Sequence, residues 1–394
     1  MAQIKLNILS RITSLACIGI TLMLLAACGG PNKDALKTVF FPPLPDEPHI
    51  QHLFSFEDTT IFEDKSLFKS LVSGMDNPDI ETRLLKPYGI ALYKGLLYVC
   101  DTVPNTVYRI DMANRKWEPL RGNTAAGALS KPIGLVIDER GRLYVSDVVR
   151  KEVLVYTAEG DFLKAMGKDI LSKPVGVAVD NEFLYVLDFN DRLIRVLDRE
   201  SGALVREIGQ GAEKGDNLVQ PTGIALDTKG FIYVTNAGTG KVLKLDKDGH
   251  VLFSFGKIGD FFGEFTRPKQ IAVDKNGQIF VVDGGNQNVQ IFDPTPTLLL
   301  PFGMPGSPHG SMNLPVGITV TTELLDFFRK YADPSFAVEE LIFVTNQSGK
   351  EKISVYGLGR YTGTLPARPA APAAPEKAVA PQKQKDDVNG AAPH

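Results

Sequence analysis

A proline recurs six times at near-even spacing, at Pro87, Pro132, Pro174, Pro221, Pro268 and Pro315, with intervals of 42 to 47 residues. A fixed period of this length marks a chain built from stacked supersecondary units, and it restricts the fold more than composition does. Each proline opens the same phrase: KPYGIAL, KPIGLVI, KPVGVAV, QPTGIAL, RPKQIAV and LPVGITV. Proline stops ladder pairing ahead of the strand, and the glycine found in five of the six phrases lets backbones approach closely. A turn follows, as in Asp138 to Gly141, Asp227 to Gly230 and Asp274 to Gly277, with aspartate capping and glycine taking a positive φ. Second strands then read LYVCD, LYVSD, LYVLD, IYVTN, IFVVD and IFVTN. They end on Asp101, Asp147, Asp188, Asn236, Asp283 and Asn346. Third strands such as VLKLD and fourth strands such as VLFSFG complete each unit.

Four short strands per repeat define a propeller blade, so the fold class is all-β, a six-bladed β-propeller. The last repeat stops at Ile353 to Gly359 without its fourth strand. Leu53-Phe54-Ser55-Phe56, ahead of the first repeat, matches Leu252-Phe253-Ser254-Phe255 of the fourth blade. The N-terminal strand is therefore expected to complete blade six and close the ring, removing two open strand edges. Blade six also carries a long segment at about residues 321–340, in which Leu324, Leu325, Phe328 and Tyr331 fall at helical spacing. A short helical insertion is expected there.

The repeat resembles the NHL repeat over about 310 residues, with Gln270 replacing glycine in blade five. The whole is similar to bacterial NHL propeller lipoproteins. That resemblance implies a rigid body that binds partners through its loops.

Ahead of the repeats, Lys5 and Arg11 precede an apolar run from Ile12 to Ala27, too short for a comfortable membrane span. It ends in Leu25-Ala26-Ala27-Cys28, which resembles the lipobox of bacterial lipoproteins. The expectation is a signal peptide over residues 1–27, a lipid on Cys28, a linker over 28–48, the propeller over 49–360 and a disordered Ala/Pro-rich tail over 361–394. Gly29 after the cysteine resembles the sorting pattern of the outer membrane, giving an extracytoplasmic, lipid-anchored address. Cys100 is the remaining cysteine of the mature chain, so no internal disulfide can form there, and its strand position reads as a small buried hydrophobe. A net charge of −3 and a pI near 6.0 give no basic patch for nucleic acid.

Catalysis on this scaffold would need polar groups on the axis, where resemblance places Tyr88, Ile133, Val175, Thr222, Lys269 and Val316. Propeller hydrolases of the lactonase type set Glu, Asp and Asn around a divalent metal, and the NHL-like lyase relies on histidine-bound zinc. Here three of the six positions are aliphatic, and no three of His49, His52, His250, His309 and His394 share a repeat position. Neither a catalytic nor a metal site is expected, nor a cofactor. Tyr88, Thr222, Lys269 and Gln270 are the candidate ligand contacts in the funnel, the last two with the chemistry to grip an anion, although a packed or solvated pair is the plainer reading. The Asp/Asn at each second-strand end reads as a turn cap rather than a metal ring, and Asp246-Lys247-Asp248-Gly249 reads as a hairpin turn. Phe261, Phe262 and Phe265 read as wedges between blades, with a binding patch as the alternative.

The leading function is a non-catalytic binding or scaffold module for a protein or glycan of the cell envelope, with a monomeric body. By resemblance the partner is a multihaem cytochrome or an export complex. The alternative is a metal-dependent hydrolase or lyase using the central funnel. Strand alternation puts the tether, the tail and the helical insertion on one face, which leaves the opposite face for docking.

Overall fold

A computed structural model describes residues 38–62, 82–209, 217–306 and 309–368. These residues form six antiparallel sheets, each ordered first to fourth strand from the axis outward. Blade four is representative, with strands Pro221–Leu226, Ile232–Asn236, Lys241–Leu245 and Val251–Phe255. Its second strand is buried along its whole length while its fourth is half-exposed, so the core lies between blades and toward the axis. Apolar clusters such as Tyr233, Val242, Phe265, Ile279 and Phe292 fill each seam, because twisted sheets packed face to face can bury only their facing side chains.

The ring closes as the sequence implies. Ile50–Phe56 pairs antiparallel with the third strand of blade six, Ile353–Tyr361. Phe54 lies opposite Val355 and Phe56 opposite Ile353, with a bulge at Leu53. In blade four Phe253 lies opposite Lys244 and Phe255 opposite Val242, with the bulge at Leu252. The shared tetrapeptide therefore encodes a shared bulge as well as a strand. Leu252 is 49% exposed on the rim, whereas Leu53 is 7% exposed, because blade six covers this position with further structure.

Part of that cover comes from residues expected to belong to the lipid-anchored linker over 28–48, of which 28–37 lie outside the described residues. Val39–Phe41 forms a fifth strand outside the closing strand, with Val39 opposite His52 and Phe41 opposite Ile50. Phe41 reaches the rings of Phe302 and Tyr356, and Phe40 those of Phe336 and Tyr361. Four aromatic contacts give three residues enough apolar burial to join the sheet. The added hairpin also reverses the chain, and Thr38, just ahead of it, donates to Asp333 of the blade-six insertion.

The second-strand Asp/Asn residues are caps, and the two residue types build different loops. Asp147 accepts the N–H groups of Ser130 and Lys131 before the proline, and those of Val149 and Arg150 after the strand. Asp101, Asp188 and Asp283 likewise each take the two N–H groups that precede their proline. Asn236 takes only Val219 N–H, and Asn346 only Asn313 N–H. A carboxylate has acceptors alone, whereas an amide must also place its N–H₂ group. Those amides donate to Asn217 O and Glu351 O. In these two blades the residue before proline, Gln220 or Leu314, turns to φ of 52° or 53°.

At the axis the glycines answer a steric demand. A Cβ on Gly317 would sit 2.1 Å from Tyr88 O, and one on Gly89 2.5 Å from Ile133 O. Hydroxyls bridge the same crowded layer: Thr345 Oγ1 accepts from Gly317 N and donates to Tyr88 O. First strands of neighbouring blades are thus stitched by one side chain.

The insertion spans 322–335, narrower than expected, since the second strand of blade six already begins at Phe336 and runs to Asn346. A helical turn Leu325–Phe328 continues as a 3₁₀ turn Arg329–Tyr331. Phe328 is fully buried against Phe343, and Tyr331 stacks on Phe54 with ring centroids 4.6 Å apart. Gln51 accepts from Asp333 N, and Glu323 accepts from Gly95 N of blade one. The insertion therefore straps the seam between blades six and one, where the ring closes.

Candidate docking face

Turns after first and third strands lie on the insertion face. Loops after second strands, and the connections from fourth strands to the next blade, form the opposite face. The funnel candidates fall where first strands begin, on this opposite face, and they do different work. Tyr88 packs into the seam of blades one and two, and burial pushes its hydroxyl pKa up. Thr222 donates to Pro268 O, so its hydroxyl is spent between blades four and five. Lys269 is partly buried, its stem against Gly284, and burial lowers its pKa, with the Arg267 charge acting in the same direction. Gln270 stands beside it with its Cα against Gly223. Cys28 lies outside the described residues.

Two long connections give this face its character. In the one leading to blade five, Phe265 N–H bonds Lys257 O, and in the one leading to blade six Met312 N–H bonds Met304 O. Phe265 and Met312 plug the seams at 0% exposure. The wedge expectation holds for Phe265 and is corrected for its two neighbours: Phe261 is 75% and Phe262 67% exposed. A loop that places Phe265 inward by a backbone bridge to Lys257 leaves the turn before it, closed by Glu264 N–H to Phe261 O, projecting into solvent. Fourteen large apolar side chains are well exposed among the described residues, and seven of them lie on this face: Val103, Val149, Ile258, Phe261, Phe262, Met304 and Leu314. Five more sit on outer strands. Among the described residues the insertion face has only Leu44 and Leu365. Phe261 and Phe262, adjacent in one projecting turn, are the most exposed of them and the strongest candidates for an interaction anchor.

Between blades two and three the same face holds an open cleft of about 700 Å³, lined mostly by charged groups. Arg150 is paired with Glu152 at 2.7 Å and Arg195 with Asp191 at 2.6 Å. Ile170 and Leu171 are its apolar members, so the cleft lacks the predominantly apolar lining of a small-molecule site.

A polar cluster that the sequence does not reveal lies at the closing strand. Ser55 Oγ is 2.8 Å from His52 Nε2 and 3.2 Å from Glu351 Oε2, and His309 Nδ1 is 3.0 Å from Glu351 Oε1. The two imidazoles stack with centroids 6.0 Å apart. Burial, and secondarily the charge of His309, pushes His52 down to about 4, which makes it a weak base. Glu351 meets the serine and the second histidine instead of orienting His52. This is a poor nucleophilic triad, and its members join the closing strand, the blade-six loop and the connection between blades five and six. No group of three His, Cys, Asp or Glu side chains among the described residues is arranged to hold a metal ion. Cys100 is fully buried, and burial drives its thiol pKa well above the usual range.

A family model described as the NHL repeat matches residues 265–292, the stretch from the wedge Phe265 through the third strand of blade five. Among solved structures, a Bacteroides thetaiotaomicron protein of unknown function is 18% identical with a TM-score of 0.53, covering 78% of this chain and 75% of its own. A gluconolactonase from Xanthomonas campestris is 16% identical with a TM-score of 0.51, covering 80% and 90%. A catalytically inactive virginiamycin B lyase from Staphylococcus aureus, solved with quinupristin, is 17% identical with a TM-score of 0.50, covering 72% and 98%. At these identities the likeness is one of fold. The repeat match and the six four-stranded units together support an NHL-type β-propeller.

Proposed function

We propose that this protein is a binding or scaffold module of the cell envelope, anchored through a lipid on Cys28 at the outer membrane, which engages a protein partner through the face of the long connections. The observation that carries this reading is the concentration of exposed apolar side chains there, led by Phe261 and Phe262. Rigid aromatic anchors of this kind lose little conformational entropy on binding and dominate interface energetics. The ten residues from Cys28 to Thr38 reach at most about 33 Å at roughly 3.3 Å per residue, so the body stays near the membrane. A multihaem cytochrome or an export complex fits such a position. The alternative, a metal-dependent hydrolase or lyase in the funnel, draws less support, because axial Thr222 is already bonded across the seam and Ile133 and Val316 are buried aliphatics.

The test is site-specific photo-crosslinking in intact cells. A crosslinker replacing Phe262 should give an adduct of discrete mass, and one replacing Asp326 on the insertion should not. Adducts from Asp326 alone would overturn the assignment of the face.

A further inference from the structure

Two cations on the segment that carries the aromatic turn are left without a partner, and they specify the chemistry an occupant would need. Arg267 and Lys269 lie two residues apart at the start of the first strand of blade five. Among the described residues neither side chain has an ion pair within 4 Å or a hydrogen bond, and the same is true of a hydrogen bond for Gln270. The carboxylates at hand are committed. Asp283 accepts the backbone N–H groups of Thr266, Arg267, Gly285 and Asn286. Glu264 is paired with Lys257 at 2.8 Å. The charges acting on Lys269 are Arg267, which opposes its protonation, and Asp283; Asp260 is not among them. A half-buried ammonium next to a guanidinium of like charge is unfavourable in the free protein, and an incoming carboxylate would relieve it.

This connection also carries Phe261 and Phe262, whose exposed turn is tied to the loop of blade five by Asn286 Nδ2 to Gly259 O and Thr266 Oγ1 to Gly259 O. Cationic and aromatic groups are thereby held on one braced segment. Resting on the docking face assigned above, we propose that the partner presents an Asp or Glu flanked by apolar residues, its carboxylate seated on Arg267 and Lys269 and its apolar side chains covering Phe261 and Phe262. An arginine and a lysine offer fixed and mobile donors to one carboxylate, and Gln270 adds a neutral N–H₂ group.

A displayed library of random twelve-residue peptides, selected against the full-length protein in detergent micelles, tests this directly. Selected peptides are expected to carry Asp or Glu beside aromatic or aliphatic residues. They should bind the double variant Arg267→Gln, Lys269→Gln about tenfold or more weakly, and the pair Arg267→Glu, Lys269→Glu should select Lys- or Arg-bearing peptides instead. Unchanged thermal melting of each variant shows that it folds. Peptides that need Phe261 and Phe262 but ignore both charge variants would overturn the carboxylate proposal and leave the docking face standing. Peptides indifferent to Phe261→Ser and Phe262→Ser, or no selection at all, would overturn both.

Discussion

His52 shows how one buried side chain ties stability to pH. Its folded pKa of about 4 lies below the ordinary 6.5, so between these values the unfolded chain binds a proton that the folded chain does not. Stability is therefore full above pH 6.5, falls as the pH drops through this window, and levels off below 4, a loss of about 3 kcal/mol. Raised by burial, Glu351 works in the opposite sense, so the difference between wild type and His52→Gln isolates the imidazole. Urea unfolding at pH 7 and pH 4.5 should show the wild type losing stability that His52→Gln retains. Equal losses in both would remove His52 as the source. None of this is legible in the sequence, because His52, His309 and Glu351 belong to segments far apart in the chain, with no spacing signature. The caps are legible in position, since they recur in every repeat. Their consequence is not, because whether one or two N–H groups are captured depends on where an amide can send its own hydrogens.

At the scale of elements, the closing strand and its strap decide whether the ring stays shut. The strand's sequence alone predicts its pairing, because the LFSF tetrapeptide repeats a bulge already present in blade four. Its fifth-strand cover was not predictable from periodicity: Val39–Phe41 is three residues long and gains its place from rings contributed by blades five and six. The insertion follows the same logic. Its helical spacing is readable, but its role as a strap appears only when Phe328 is seen against Phe343 and Tyr331 against Phe54. Truncating Phe328 to Ala should cost about 3–5 kcal/mol. Hydrogen exchange should rise first in Ile50–Phe56 and in blade one, not uniformly round the ring. Uniform loss of protection would mean that the insertion does not guard the seam.

For the whole molecule, the lipid anchor proposed on Cys28 sets how the disc would sit. Thr38 meets Asp333 of the insertion and Tyr361 ends on the same side, so the proposed tether would approach from the side of the insertion. The docking face is expected to point away from the lipid, because a partner must reach Phe261 and Phe262. Maleimide labelling of Val149→Cys and Asp326→Cys in intact vesicles should therefore proceed at least as fast at residue 149 as at 326. Protection of residue 149 in the absence of partner would reverse the orientation. Val149 is suited to this test because it is exposed on the loop after the second strand of blade two.

Sequence alone determined the six blades, their four-strand rhythm, the axial glycines and the closing strand, because each depends on short-range patterns repeated six times in register. Tertiary structure decided which of three neighbouring phenylalanines became a wedge, which cations were left without partners, and that Val39–Phe41 joins the sheet of blade six. Those outcomes depend on what neighbouring blades already occupy. Phe265 is inward, its N–H held by Lys257 O and its ring against Phe255 and Phe292, whereas Phe261 and Phe262 fall in the turn that projects into solvent. The expectation of a free face came from the strand alternation of the repeat, and packing chose which side chains that face exposes.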